Sequence, residues 1–450
     1  MSADVTIRGG TVVSGGGVQR ADVTIEEGRI VDVGSSPVAA RRVIDASGLW
    51  VLPGMVDTHV HLMDPGETQR EDFPTGTAAA AARGVTTIVE HTHAHPIRAV
   101  ADFEVKLAQL VGRSNVDFGL AAHVWPDRIS ELASLWEAGV TFFKIFTCTT
   151  HGVPGLSAAL VEEAFTAVAA FDGVALVHCE DESMTERAEA LLRSSGRDDF
   201  GIVLDWRTRP AELVATGVVA LLASLTGVRA TVAHVSHPEV AEVITHARGL
   251  GADLAAEACP QYFALREEEV LAEGPLRKFT PPARARSDAD EAEMWGLLRR
   301  GVLSHLSTDH APSTRAQKAS GSIWDAPFGL PGLDTTAPFI LDAAVRGVVR
   351  PEDAVRVYAE APAVRYGLAR KGRLAPGGDG DVALFDPEGT WKVSDEAVIS
   401  KAGWSPFSGR TFRGRVIRTL LRGIDVAVDG EPVDGRGGAF LPGPGATGVT

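Results

Sequence analysis

Cysteine is scarce in this chain: Cys148, Cys179 and Cys259 are the only three among 450 residues. An odd, sparse count offers no disulfide framework and suits a reducing cytosol. All three fall near predicted strand ends, so one could line a site, but small buried hydrophobes are the favoured reading. Positive charge is also short. Lys and Arg number 43 against 59 Asp and Glu, a formal net charge of -16. That balance argues against nonspecific binding to nucleic acid or an anionic membrane. The opening residues lack the basic stretch and apolar core of a secretory leader. The longest apolar run, Val214 to Val235, is broken by Thr216, Ser224, Thr226, Arg229 and Thr231. It reads as helix, turn and strand rather than a membrane span. The expectation is a soluble cytoplasmic protein.

Apolar residues make up 45% and charged residues 23%, ordinary for a globular enzyme with room for one large and one smaller domain. Residues 1–50 alternate apolar and polar in short, glycine-split runs, as in Val5-Thr-Ile-Arg and Arg29-Ile-Val-Asp-Val. The texture returns after about residue 370, in Asp381-Val-Ala-Leu-Phe and Gly414-Arg-Val-Ile-Arg. Period-two patterning of this kind predicts strands, here one small β-sandwich (1–50 with 370–450) built from both termini. Between them, in 51–369, strand-like runs alternate with alanine-rich helical stretches, the rhythm of an α/β (β/α)₈ barrel. No internal sequence repeat is visible. The Gly/Pro-rich tail from about Gly435 is expected to be mobile.

Five of the predicted barrel strands end in groups able to bind a metal. His59 and His61 close the run Leu49 to Asp57 and, at i and i+2, share a face. Lys144, His178, His234 and Asp309 end four later segments. A barrel gathers such endings at one mouth. Four imidazoles and a carboxylate suit Zn²⁺ or a related divalent ion. Lys144, set among Phe142, Phe143, Ile145 and Phe146, admits two readings. Its ammonium either snorkels or pairs with a carboxylate, or its neutral amine captures carbon dioxide and the carbamate bridges two ions. Asp57, on the face of His59, either orients a ligand or caps a turn.

These motifs, in order, resemble the amidohydrolase superfamily and within it the cyclic amidohydrolases: hydantoinase/dihydropyrimidinase, allantoinase and dihydroorotase. The resemblance rests on Pro53-Gly-Met-Val-Asp-Thr-His-Val-His61, Asp64-Pro-Gly66, Lys144, Val177-His178-Cys-Glu180, Ala233-His-Val-Ser236, Glu257-Ala-Cys-Pro-Gln-Tyr262 and Ser307-Thr-Asp-His-Ala-Pro312. It implies that His59, His61 and Asp309 bind one ion and His178 and His234 a second. N6-carboxylated Lys144 would join the two. It further implies hydrolysis of a ring C–N bond by a metal-bridging hydroxide, with Asp309 as the proton carrier, and a homo-oligomer, either tetramer or dimer.

The substrate is expected to be a neutral cyclic amide or ureide. Dihydroorotase holds a carboxylate, and its arginine and histidine are Met63 and Ser313 here, while its asparagine aligns with His93. A buried carboxylate would lack its charged partners. The tyrosine that hydantoinases place five residues beyond the lysine is Thr149, and Asp64-Pro-Gly66 leans toward allantoinase. Thr280, Phe328 and Gly329 are further implied substrate contacts. The alternatives are a dihydroorotase-like activity, a divergent amidohydrolase or deaminase, and, last, a non-catalytic scaffold. His91, His93 and His95, at alternate positions, are expected to face one way if the segment is extended.

Overall fold

In the computed structural model, residues 3–34, 39–433 and 435–447 are described. Eight parallel strands form the barrel: Met55–Val60, Val85–Glu90, Asp117–Leu120 continued by Ala122–His123, Phe143–Phe146, Val174–His178, Arg229–Val232, Leu254–Ala258 and His305–Leu306. Each pairs in parallel with its sequence neighbour, apart from a break at Ala121 inside the third. A parallel bridge between Val60 and His310 brings the eighth segment back to the first. Nearly every strand residue is buried, because helices cover the outside and side chains fill the inside.

The covering helices start and stop where their sequences say. Ser157 caps Ala158–Ala169 through its side chain, and Asp72 caps Phe73–Ala82 the same way. Arg209–Thr226 begins with capping Thr208 and Pro210 and ends at Gly227, whose φ of 71° is the left-handed stop. This helix is followed by the Arg229–Val232 strand, as the broken apolar run predicted. Its Ala211, Ala215, Val219 and Ala223 face is buried.

The two chain ends share sheets. Trp50–Pro53 pairs with Val382–Lys392, and that strand pairs with Thr411–Leu421 in a seven-stranded sheet. A four-stranded sheet of Ala3–Arg8, Asp22–Glu26, Arg29–Gly34 and Ala40–Asp45 lies against it. One core of Val5, Ile7, Val23, Val51, Val382, Leu384 and Leu420 fills the space between. The Gly17–Arg20 and Ala40–Asp45 strands were not anticipated, since both are mostly polar and largely exposed.

Two expectations need correcting. The eighth strand is two residues long rather than the predicted run to Asp309, so Asp309 sits on a loop. There, the Asp57 side chain accepts the Thr308 N–H at 3.2 Å, beside the backbone bond from His61 N–H to the His310 carbonyl. The Gly/Pro-rich tail is not loose through residue 447. Phe118 N–H donates to the Ala439 carbonyl and Leu441 N–H to that of Phe118. Its glycines permit close approach: a Cβ on Gly438 or Gly443 would stand 2.0 Å from the carbonyl of Val116 or Val140. Residues 448–450 of that tail lie outside the described residues.

Candidate active site

The ends of the barrel strands bring the six predicted ligands to one small cavity. His59 Nε2 and His61 Nε2 stand 3.2 and 3.4 Å from the same Asp309 oxygen. Lys144 Nζ is 3.3 Å from His59 Nε2. Across the cavity, His178 Nδ1 and His234 Nε2 are 2.9 Å apart. Two donors each about 2.1 Å from one ion at a tetrahedral angle lie about 3.4 Å from each other. His59 and His61 each stand at that spacing from Asp309, so this donor set suits a divalent ion. His234 and Asp309 hold φ values of 39° and 50°, uncommon for residues with a Cβ and frequent at functional sites.

Electrostatics favour ligation too. Burial lowers the pKa of His59, His178 and His234 and takes His61 down to about 3. All four are therefore held as neutral imidazoles, the form that binds metal. Lys144 does not snorkel, being 1% exposed. Burial pushes its amine down to about 8, and no carboxylate lies within ion-pairing distance among the described residues.

Neighbours fix the ring orientation of three of the candidate ligands, His59, His61 and His178. Glu257 Oε1 lies 2.6 Å from His59 Nδ1 and accepts the His234 backbone N–H at 3.2 Å. His61 Nδ1 faces the His91 carbonyl at 3.1 Å. In both rings Nε2 is left for an ion. Glu180 Oε2 takes His178 Nε2 at 2.9 Å, leaving Nδ1 for the cavity, and also accepts from Thr280 and Arg207. Although burial works the other way, Arg207 and then His178 hold the Glu180 carboxyl down at about 2. Asp57 touches backbone rather than a ring. It accepts from His59 N–H and Thr308 N–H at 3.2 Å and from the Tyr358 hydroxyl at 2.7 Å, bracing the first strand against the eighth.

The predicted substrate contacts divide. His93, Thr280, Phe328 and Gly329 line the cavity. Thr149 lies farther out, in a cleft it shares with Arg70, Arg207, Lys278, Trp206 and Trp324. Met63 and Ser313 are fully buried, and neither lines the cavity or the cleft. Met63 Sδ accepts from Thr92, and the Ser313 carbonyl accepts from Trp404.

The three alternate histidines do not face one way, because the strand stops at Glu90 and the segment turns. His91 packs beneath His59 and His61, with ring centroids 4.6 Å from each. His93 rims the cavity and His95 is exposed. The cysteines are all free and buried, as favoured. Sequence reading gave no role to Glu180, Glu257 or His151. The carboxylates carried a signal, since Glu180 lies two residues past His178 and Glu257 lies in a strand-end motif. His151 carried none, because only the loop's path brings it inward.

A family profile described as "Amidohydrolase family" matches residues 50–426. The allantoinase of Rubrobacter xylanophilus is 37% identical over 453 residues, covering 98% of each chain. That of Solibacter usitatus is 34% identical, covering 98% of this chain and 97% of its own. Among solved structures, the L-hydantoinase (dihydropyrimidinase) of Arthrobacter aurescens superposes with a TM-score of 0.92 at 30% identity, covering 98% of this chain and 100% of that one. The dihydropyrimidinase of Brevibacillus agri gives 0.91 at 27% identity, covering 99% of both.

Proposed function

Since this chain belongs to the amidohydrolase family and, within it, to the cyclic amidohydrolases, we propose that it opens a neutral cyclic ureide by hydrolysis at a two-ion centre. The observation that carries this reading is the convergence of six donors from five strand ends on one small cavity. His59, His61 and Asp309 would hold one ion, His178 and His234 the other, with carboxylated Lys144 between them. When bound, the ions, zinc by the character of the donors, polarise the ring carbonyl and acidify a water.

The chain's own residues do the rest. Asp309 takes a proton from the attacking water and returns it to the ring nitrogen as the C–N bond breaks, leaving a carboxylate and a free ureido nitrogen. Glu257 and Glu180 hold the His59 and His178 rings in one tautomer, so their donors need no reorganisation.

An allantoin-like ring is the preferred substrate. Among the described residues, the inner cavity presents no arginine, which favours an uncharged ring. The cleft beyond it is walled by Arg70, Arg207 and Lys278, positive charge that suits a substituent rich in carbonyl oxygens, such as a ureido group. The Trp206, Trp324 and Phe328 walls of the same cleft support a second reading, a hydantoin with an aromatic substituent. Allantoin, 5-benzylhydantoin, dihydrouracil and dihydroorotate, offered to metal-loaded protein with product analysis, test both. Turnover of dihydroorotate alone, or a protein that binds no metal, would sink the proposal.

We further propose a homo-oligomer in the cytoplasm. The three free, buried cysteines suit that compartment. Val214, Val218, Leu221 and Leu225 form an exposed stripe on the Arg209–Thr226 helix, spaced four, three and four residues apart. Such a stripe pairs well with its own copy across a two-fold axis. The double variant Val218→Glu, Leu221→Glu should lower the mass measured by light scattering by at least half, with the melting temperature little changed. An unaltered mass would exclude this helix from the interface.

A further inference from the structure

The inner cavity is rich in polar side chains, yet almost all of them are committed. The ion-holding set takes six. The Thr280 hydroxyl donates to Glu180 at 2.6 Å, the Gly329 N–H to the Lys278 carbonyl and the Ala311 N–H to that of Leu330. Phe146 and Phe328 contribute no side-chain donor. Only His93 and His151 remain. Their rings stack with centroids 4.3 Å apart and planes 19° from parallel. His93 Nδ1 is buried without a partner, and no hydrogen bond within the described residues engages either nitrogen of His151. Both residues, with Phe328, line the inner cavity and the outer cleft alike, so they stand where a bound ring passes from one to the other.

The loop presents His151 at a conformational cost. Thr150 and Val153 exchange backbone hydrogen bonds of 3.1 and 2.9 Å around His151 and Gly152. The two central residues have φ values of 54° and 75°, the type I′ pattern, which favours Asn-Gly. A histidine in that first position is not there for the turn, and backbone outliers of this kind gather at active sites. Its ring carries at least one N–H in either protonation state.

We propose that the His151 imidazole is the side-chain donor to the ring carbonyl oxygen as that oxygen gains negative charge, with His93 stacked behind it to fix its plane. The assignment rests on the ring-hydrolysis reading above and adds a residue to it. Water adds to the carbonyl carbon, the electron pair moves to the oxygen, and the His151 N–H shortens onto that oxygen without giving up its proton. Donors aimed at a developing oxyanion contribute more in the transition state than in the ground state, so the effect falls on kcat.

The test uses metal-loaded full chain and whichever ring the wild type turns over fastest. His151→Phe keeps an aromatic ring on His93 and deletes the N–H. Its kcat should fall about 100-fold with KM within about threefold, at unchanged metal content and melting temperature. His151→Asn suits the turn and restores a donor, so its kcat should return to within about tenfold of wild type. Should His151→Phe fail to fold, His151→Ala against His151→Asn reads the same contrast. Wild-type kcat in His151→Phe, or His151→Asn no better than His151→Ala, would overturn the assignment alone. A wild type inert toward every ring would overturn the underlying function and this assignment with it.

Discussion

Asp309→Asn should yield a folded, metal-containing protein whose kcat is about 10³-fold or more below wild type. The amide keeps an oxygen near His59 and His61, which now lie 3.2 and 3.4 Å from the carboxylate, but it cannot accept a proton. The loss therefore isolates proton carriage from ion binding. Two proton transfers run through this group, from water and then to the departing nitrogen, and the first fails outright in the amide. Asp309 is well placed for both, because it sits on a loop past a two-residue strand, at the lip of the cavity. Steady-state kinetics with elemental analysis of the same sample is the measurement. A variant retaining a tenth of the activity with both ions bound would remove Asp309 from the proton path.

Lys144→Met should reduce bound metal from about two ions per chain to one or fewer and take activity to background. Methionine matches the apolar stem between the surrounding aromatics but has no amine to carboxylate. The neutral side chain should stabilise the empty protein, since a buried amine without an anionic partner is costly. That separates the variant from a folding defect: melting temperature in chelator holds or rises while metal content falls. A pH dependence follows as well. Only the neutral amine captures carbon dioxide, and burial has brought Lys144 down to about 8. At pH 8 about half of it is neutral, against about 0.3% for an ordinary lysine near 10.5. Metal loading of stripped protein in bicarbonate should therefore rise steeply from pH 6 to 9, with a carbamate signal in ¹³C NMR at the upper end. Loading that is indifferent to bicarbonate would rule out the bridge.

Much of this is legible in the sequence. The candidate ligands come from strands whose apolar runs are long and whose terminal residues are chemically conspicuous, so the convergence of His59, His61, His178 and His234 could be read directly. The helices between them carry their own caps, Ser157 and Thr208 among them. Legibility failed where local pattern is weak or where a contact is made at long range. The Ala40–Asp45 edge strand is half exposed and charged, so its alternation points nowhere. The tail's glycines look like flexibility until the carbonyls of Val116 and Val140 are seen beside them. Met63 and Ser313 were assigned by resemblance to relatives, and both are buried away from the cavity wall.

Sequence alone determined the barrel, the sandwich built from two ends, and the set of candidate ligands. Periodicity and strand-end chemistry are local properties, and a parallel barrel has one mouth to which strand ends can lead. Tertiary structure decided what those ligands lean on and what faces the substrate. Glu257 reaches His59 across 198 positions and Tyr358 reaches Asp57 across 301, distances over which one sequence carries no pairing signal. The stacking of His151 on His93 is of the same kind, because two loops meet only after eight strands have closed into a ring.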